Sequence, residues 1–289
     1  MRQILYNSIV PLGKSLSLKQ LHALGNGLGD LMWAVLSGRR KETTACIRDR
    51  LGLEEVPALA LAKSSFRHSA CAFLELFHAR HMDYRFLEER VEYENPDLFA
   101  RMCSTSRPVV GVTGHLGSWE LLGGMLKCFT SKSDCQVVAR LPKDLALAEL
   151  MLHMRSQSKV RVLPHREAAT EALGQLRGGG LSAFLVDHNC KRAEALFLPF
   201  LGKTAAVNKG PAILALRAKA EVWPFFLIRL PEGRYRALTL PSLDTATLEG
   251  GRAERIEQIC RFYTRAVEET VLRYPEQWFW MHRRWKTQP

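Results

Sequence analysis

The stretch that decides the fold reads Pro108-Val-Val-Gly-Val-Thr-Gly-His-Leu-Gly-Ser-Trp-Glu120. Residues 108–113 form a short apolar run that is bounded by proline and glycine, and such a run predicts a buried β-strand. Residues 118–130 read as a helix, for which Ser118 is a suitable N-cap residue. A strand that leads through a short glycine-containing connection into a helix indicates the start of a β–α unit.

The alternation of strands and helices continues along the chain. It predicts an α/β protein with a mixed, largely parallel central sheet flanked by helices. Residues 16–82 are mostly helical, and we expect an N-terminal helical, membrane-associating segment over 1–82, continuous with an α/β core over 83–289. The predicted strands lie near 86–93, 108–113, 135–140, 159–163, 181–187, 221–229 and 234–240, and the core helices at 118–130, 143–157, 166–177, 208–219, 254–273 and 275–286.

His115 and Glu120 are the strongest candidates for catalysis. On one continuous helix, positions five apart lie about 140° from each other, so the two side chains would point apart. They meet only if His115 lies in the loop and Glu120 in the first helical turn, which Gly114 and Gly117 permit. His115 would then act as a general base whose ring is held by Glu120. The alternative is a polar loop residue beside a solvated helix charge.

A covalent nucleophile is not evident near His115. Ser118 does not stand in a Gly-x-Ser-x-Gly elbow, and no cysteine lies within ten residues of His115. The sequence therefore favours direct transfer to an acceptor over a route through an acyl-enzyme. No Walker or Gly-x-Gly-x-x-Gly loop is present, and the seven cysteines form no Cys-x-x-Cys pair, so we expect reduced thiols and no cofactor or metal.

The chain carries a formal net charge of +12, from 41 basic and 29 acidic residues. Such a charge suits an anionic membrane or an acidic protein partner, and no nucleic-acid-binding module is recognisable. One basic cluster interleaves with tryptophans, a combination typical of a lipid headgroup interface. The alternative is a terminal helix whose tryptophans are core. The cluster comprises Arg283, Arg284 and Lys286 with Trp278, Trp280 and Trp285.

An N-terminal amphipathic helix bears on the same question. Its apolar residues recur at helical spacing on one face, and polar groups interrupt the run, so it is predicted to lie at a membrane interface rather than to span a bilayer. A helix packed on the protein's own core is the alternative. The first interpretation predicts a protein held at a membrane surface. The apolar face consists of Leu21, Leu24, Leu28, Leu31 and Val35.

Several motifs together resemble one family, the bacterial lipid A late acyltransferases, which include lauroyl and myristoyl transferases. That family is similar in fold to the glycerolipid acyltransferases with a His-x4-Asp motif. The resemblance implies an acyl carrier protein thioester as donor and a membrane glycolipid hydroxyl as acceptor. With the amphipathic N-terminal helix, it leads us to expect a protein on the cytoplasmic face of the inner membrane. The motifs are Gly114-His-Leu-Gly-Ser-Trp-Glu120, Val138-Ala-Arg140, Phe184-Leu-Val-Asp187, Phe197-Leu-Pro-Phe-Leu-Gly202 and Tyr274-Pro-Glu-Gln-Trp-Phe-Trp-Met-His-Arg-Arg-Trp-Lys286.

Further site residues follow from strand ends in such a fold. Arg140 ends a strand and is expected to stabilise the oxyanion, as the matching family arginine implies. Asp187 ends another strand and is expected to bind the acceptor headgroup or to support the site. Asn208 and Lys209 open a helix and are candidates for binding a phosphate, and Arg284 is a candidate for binding substrate. Structural roles in ion pairs or hydrogen bonds are the alternatives.

The sequence therefore predicts an acyltransferase that acts on a lipid A precursor or a similar glycolipid. Two alternatives stay open. One is a related acyltransferase with a different lipid or a secondary metabolite as acceptor. The other is a catalytically inactive paralogue that binds lipid or carrier protein.

Overall fold

The central feature of the protein, seen in a computed structural model, is a mixed, mostly parallel sheet. The structure describes residues 11, 13, 15–126, 135–139, 144–156, 160–164 and 168–289. Within this part of the chain the strand order is β1-β9-β8-β2-β5-β3-β4, with β10 beside β8 and a separate β6–β7 hairpin. The strands are β1 (Val91–Tyr93), β2 (Val109–Thr113), β3 (Cys135–Ala139), β4 (Arg161–Pro164), β5 (Leu181–Leu185), β6 (Ala195–Phe200), β7 (Lys203–Asn208), β8 (Glu221–Arg229), β9 (Tyr235–Thr239) and β10 (Leu243–Asp244).

Helices cover both faces of this sheet, which confirms the predicted fold class. Strands β8, β2, β5, β3 and β4 run parallel, and β9 runs antiparallel to β8. The described helices are α1 (Leu18–Val35), α2 (Ser37–Leu51), α3 (Glu55–Glu75), α4 (Tyr84–Arg90), α5 (Pro96–Ser104), α6 (Trp119–Leu126), α7 (Leu145–Ser156), α8 (Ala168–Arg177), α9 (Gly210–Ala218) and α10 (Arg252–Arg273).

Alternate residues of β2 enter two different hydrophobic clusters, because successive strand side chains point to opposite faces. Val110 and Val112 pack with residues of α8, α9 and α10. Val109 packs on the other face with residues of α6 and α7. All nine residues of β8 are buried, as expected for a strand that is covered on both faces.

The structure corrects two predicted segments and adds a hairpin. Residues 84–90, part of the strand predicted near 86–93, form α4, because Asp83 caps it by accepting a hydrogen bond from Phe86 N at 2.9 Å. Residues 275–286 do not continue as a helix: a 3-10 turn at Pro275–Gln277 leads into bends and turns. The β6–β7 hairpin was not predicted at all.

The N-terminal helices confirm the predicted helical start of the chain. α1 packs closely on α3 because Gly25 and Gly29 face it. A side chain at Gly25 would meet Cys71, and one at Gly29 would meet the backbone of Arg67. No helix in the described part of the chain is both long and apolar enough to cross a bilayer.

Candidate active site

His115 and Asp187 lie side by side because they follow two neighbouring parallel strands. β2 and β5 are paired up to Thr113 and Leu185, and Val186 N donates a hydrogen bond to Thr113 O at 2.9 Å. His115 comes two residues after the last residue of β2, and Asp187 two residues after the last residue of β5. The carboxyl ends of neighbouring parallel strands are the usual place for a binding site in an α/β fold.

Asp187 binds the catalytic candidate through both the backbone and the ring. Its Oδ1 contacts His115 Nδ1 at 2.8 Å, and its Oδ2 accepts hydrogen bonds from His115 N at 2.7 Å and from Trp278 Nε1 at 2.8 Å. The prediction that Glu120 holds the ring was therefore wrong in its geometry. With Nδ1–H directed at the carboxylate, Nε2 of the neutral imidazole is the nitrogen that can accept a proton.

The electrostatics of the pair favour an ionised Asp187. Burial alone would raise the pKa of this fully buried carboxyl, but the His115 charge and hydrogen bond hold the pKa well below its usual range. Burial likewise acts to lower the pKa of His115, but the Asp187 charge outweighs it and the pKa is raised above its ordinary value. Asp187 therefore makes the imidazole a stronger base and stabilises the imidazolium.

Glu120 lies in the first turn of α6, as predicted, and its partner is Arg155 on α7. Arg155 Nε donates to Glu120 Oε2 at 2.9 Å, and Nη2 donates to Oε1 at 2.6 Å, a bidentate geometry. The carboxylate is close enough to His115 to help raise the pKa of the imidazole, and Arg155 acts in the opposite direction. The Glu120–Arg155 pair thus places a fixed cation and a fixed anion beside the base.

An apolar cavity of about 470 Å³ begins at these polar groups and continues between the sheet and helices α6 and α7. His115, Glu120, Arg155 and His188 supply its ionisable lining, and the rest is mostly aliphatic and aromatic. Its sheet side contains small residues at matching positions, since Gly111 of β2 pairs with Ala183 of β5. Such a shape fits a long hydrocarbon group whose polar end stays beside His115.

The mouth of the cavity is also apolar. Phe73 of α3 and Leu147 of α7 line the cavity and are 41% and 47% exposed. The His115 ring packs against the rings of Trp119 and Phe279, with centroid distances of 5.6 Å and 6.2 Å, and those two rings lie 6.1 Å from each other. The His115 side chain is 29% exposed and lines the cavity, so the imidazole is accessible from the cavity while it packs on these two rings.

The segment around Trp278 holds the loop that carries His115 in place. Gly117 N donates to Gln277 O at 3.0 Å, and Phe279 N donates to His115 O at 2.9 Å. Trp278 and Trp280 are buried in the core, so the predicted headgroup interface at these tryptophans was wrong. The two rings pack on each other with centroids 4.6 Å apart, and Trp278 also packs on Phe200 and His282.

Arg284 is also buried, at 1% exposure, and donates to Ala206 O at 2.6 Å and to His188 O at 3.3 Å. These two bonds connect the C-terminal segment to β7 and to the residue after Asp187, and the role of Arg284 in binding substrate stays a prediction. Asn208 caps the turn before α9, with Oδ1 accepting from Gly210 N at 2.8 Å, and neither it nor Lys209 lines the apolar cavity. Arg140 lies outside the described residues.

Sequence reasoning missed Arg155 and the pairing of Asp187 with His115. The one signal for Arg155 was a basic residue on the otherwise leucine- and methionine-rich helix α7. No feature of the sequence indicated that His115 and Asp187, which are 72 positions apart, would be in contact. Among the described residues, no group of three or more His, Cys, Asp or Glu side chains is arranged to hold a metal ion.

Comparison with known proteins identifies the family of this chain. The sequence profile of the family described as "Bacterial lipid A biosynthesis acyltransferase" matches residues 4–287. The chain is 30% identical over 116 residues to the lipid A biosynthesis lauroyltransferase of Escherichia coli (strain K12), an alignment that covers 39% of this chain and 36% of that relative. Over 274 residues it is 23% identical to the lipid A biosynthesis palmitoleoyltransferase of the same strain, covering 92% and 85%.

A lipid A biosynthesis acyltransferase of Shigella flexneri matches with the same identity and the same coverage. The family match extends over nearly the whole chain, whereas the lauroyltransferase alignment spans little more than a third of that relative. The chain therefore belongs to the bacterial lipid A biosynthesis acyltransferase family, and it is an enzyme of the acyltransferase class.

Proposed function

We propose that this enzyme transfers a fatty acyl chain from an acyl carrier protein thioester to a hydroxyl of a lipid A precursor, with His115 as the general base. The observation that carries this proposal is the His115–Asp187 pair at the polar end of an apolar cavity. The imidazole supplies the base, the cavity accommodates the hydrocarbon chain, and the family supplies the class of acceptor.

The reaction follows from the ring geometry. His115 Nε2 takes the proton of the acceptor hydroxyl as the hydroxyl oxygen attacks the thioester carbonyl carbon. A new C–O bond forms and the carbonyl oxygen becomes an oxyanion. Collapse of this intermediate breaks the C–S bond, and the imidazolium returns its proton to the thiolate, which leaves as the carrier thiol. Asp187 holds the ring and balances its positive charge throughout.

Arg155 is a candidate for stabilising the oxyanion. Its guanidinium lines the cavity beside His115, and the bidentate contact with Glu120 fixes its position before the reaction. Preorganised charge of this kind often lowers the activation barrier more than any other single effect in an active site. Arg140, which follows the cavity-lining Ala139, keeps the same proposed role, and the two arginines can be separated only by substitution.

Two surface properties, the positive net charge and the apolar face of α1, suit the proposed donor and a membrane. Acyl carrier proteins are acidic, and a chain with a net charge of +12 attracts them electrostatically. Four apolar side chains on the outer face of α1, Leu24, Leu28, Leu31 and Val35, are between 39% and 64% exposed. We propose that this stripe lies in the interface of the inner membrane, on its cytoplasmic face, where the acceptor is embedded.

The direct test is acyl transfer by the purified full-length protein. It is incubated with an acyl carrier protein that carries a fatty acyl thioester and with a lipid A precursor, and the glycolipid is analysed by mass spectrometry. We expect a mass gain of one acyl group. His115→Ala should lower turnover by about 10²–10⁴-fold, the range for loss of general acid–base catalysis. His81→Ala, which removes an exposed histidine outside the cavity, is the matched control.

Full activity in a folded His115→Ala variant would remove the imidazole from the mechanism. Transfer to a different lipid or to a secondary metabolite, with none to the precursor, would keep the site and replace the acceptor. Binding of acyl carrier protein and glycolipid without transfer to any acceptor would indicate an inactive paralogue.

A further inference from the structure

A second cavity, of about 520 Å³, lies between α2 and the segment 280–286. We call it the cationic cavity, because six basic residues and two carboxylates line it. The basic residues are Arg39, Arg50, Lys203, Arg283, Arg284 and Lys286, and the carboxylates are Glu42 and Asp49.

The two carboxylates do not neutralise this cavity. Glu42 accepts from Arg39 Nη1 at 2.9 Å and from Arg283 Nη2 at 3.0 Å, and Asp49 pairs with the neighbouring Arg50. Each carboxylate is thus already engaged by arginines of the same cavity, and the lining keeps a formal excess of four positive charges. An excess of this size in a concave surface attracts anions.

The walls of the cationic cavity also contain unpaired polar atoms. Four of its lining residues have a buried side-chain atom with no hydrogen-bond partner among the described residues. Buried polar groups normally have hydrogen-bond partners, so the hydrogen-bonding capacity of this wall is not filled by the described protein atoms. The atoms are Thr43 Oγ1, His282 Nε2, Arg284 Nε and Trp285 Nε1.

Trp285 shows why these atoms suit an anion. Its indole N–H and the Arg284 Nε–H can only donate hydrogen bonds, so the missing partner of each is an acceptor. The Arg50 guanidinium lies 5.6 Å from the centroid of the Trp285 ring, which holds a further cation against the same wall. Unpaired donors combined with guanidinium and ammonium groups match the oxygens of a phosphate.

The cationic cavity and the apolar cavity share a wall. Phe279 lines the apolar cavity with His115, and His282 lines the cationic one. The rings of Phe279 and His282 are stacked at 6.0 Å, and the His115 and His282 rings lie 6.3 Å apart between centroids. An anion in the cationic cavity therefore lies one layer of side chains behind the catalytic pair.

We propose that the cationic cavity is a binding site for a phosphate group, which is either free in solution or carried by the headgroup of the glycolipid acceptor. In the second case the site anchors the acceptor while its hydroxyl reaches His115, and that case rests on the proposed function. Lys203 and Lys286 are exposed at the cavity, so they can be neutralised with little effect on folding.

The first experiment needs no turnover. Inorganic phosphate is titrated into the full-length protein at constant ionic strength, and binding is followed by tryptophan fluorescence and calorimetry, because Trp280 and Trp285 line the cavity. We expect saturable binding that is at least about tenfold weaker in Lys203→Gln/Lys286→Gln. The control is Arg261→Gln/Arg265→Gln, which removes the same charge from the exposed face of α10.

The second experiment compares KM for a phosphorylated and a dephosphorylated glycolipid acceptor. If the phosphate is carried by the acceptor, the lysine double variant raises KM about tenfold for the phosphorylated form alone and leaves kcat unchanged. Phosphate binding with an unchanged KM assigns the site to free phosphate.

Two results would overturn the site. One is the absence of both saturable phosphate binding and a KM effect. The other is an equal loss in the Arg261→Gln/Arg265→Gln control, which would reduce the effect to net charge. Failure of acyl transfer alone would leave the phosphate titration intact, so the two proposals can be distinguished.

Discussion

Two fully buried carboxylates, Asp187 and Glu75, have similar partners and different surroundings. Asp187 binds the ring and backbone of His115 and the indole of Trp278. Glu75 accepts two hydrogen bonds from Arg229, both at 2.7 Å, and also contacts His22 at 2.7 Å and Tyr235 at 3.1 Å. Both carboxyls have pKa values below the usual range.

The two carboxylate clusters differ in whether they have access to the apolar cavity. Arg229 is almost completely buried, and Glu75 does not line the apolar cavity, so this cluster connects α3 to β8 and β9 inside the core. His115 exposes an edge to the cavity, so the Asp187 cluster can exchange a proton with a substrate. A buried carboxylate beside a histidine is therefore no sign of catalysis by itself. The position at the carboxyl end of parallel strands, beside a cavity, is what distinguishes Asp187.

The largest effect is expected for Asp187→Asn. The substitution keeps the shape of the side chain but removes the charge that balances the imidazolium, so turnover should fall by about 10²–10⁴-fold. Steady-state acyl transfer measures the loss, and near-ultraviolet circular dichroism reports whether the fold is retained. Near-normal turnover in a folded variant would mean that the charge is not needed.

Glu75→Gln should mainly affect stability. It leaves the Arg229 guanidinium buried without its counter-charge, and breaking a buried pair in this way costs about 3–5 kcal/mol of the free energy of unfolding. Urea denaturation measures it.

Glu75→Gln should also change how the stability of the protein depends on pH. The Glu75 carboxyl has its pKa lowered from 4.5 to about 2, because the Arg229 charge outweighs the effect of burial. Its ionisation therefore stabilises the wild type above pH 4.5, and that stabilisation is lost as the pH falls toward 2. Glu75→Gln should lack this part of the acid destabilisation. An identical acid profile in the two proteins would contradict the role given to Glu75.

A smaller effect is expected at the surface of α1. Leu28→Ala/Leu31→Ala removes two exposed apolar side chains and should weaken binding to anionic lipid vesicles roughly tenfold, with unfolding unchanged. Vesicle co-sedimentation measures the binding. Leu272→Ala on α10 is the control, since Leu272 is similarly exposed on another helix. Equal losses in both variants would rule out a specific role for the stripe.

The smallest effect is a shift in the pH profile of Glu120→Gln. The base must be neutral, so kcat/KM rises as the pH increases through the pKa of His115. Asp187 raises that pKa more than Glu120 does, and Arg155 lowers it. Removing the Glu120 charge should therefore move the acidic limb to lower pH, and Asp187→Asn should move it further. A shift toward higher pH in either variant would contradict these contacts.

The local parts of the site could be predicted from the sequence, because they depend on neighbouring residues. The apolar run at 108–113 and the glycines around His115 predicted a strand, a loop and a helix, and all three are present. Gly117 shows the constraint most clearly. It has a φ of +64°, and a Cβ there would lie 2.2 Å from Leu227 O. The placement of Glu120 in the first turn followed from the same reasoning.

The long-range parts could not be predicted, because they depend on strand order. β5 enters the sheet between β2 and β3, which brings Asp187 to His115, and no pattern in the sequence records that insertion. The β6–β7 hairpin could not be predicted for a different reason. Its tight turn has positive φ at Leu201 and Gly202, and leucine is not a residue that signals such a turn.

The hydrogen bond from Trp278 to Asp187 can form only after residue 278 has been synthesised. His115 and Asp187 emerge from the ribosome well before Trp278, and until then the buried carboxylate lacks one of its donors and the histidine loop lacks its backbone neighbour. A nascent chain that ends short of this tryptophan holds an incomplete base.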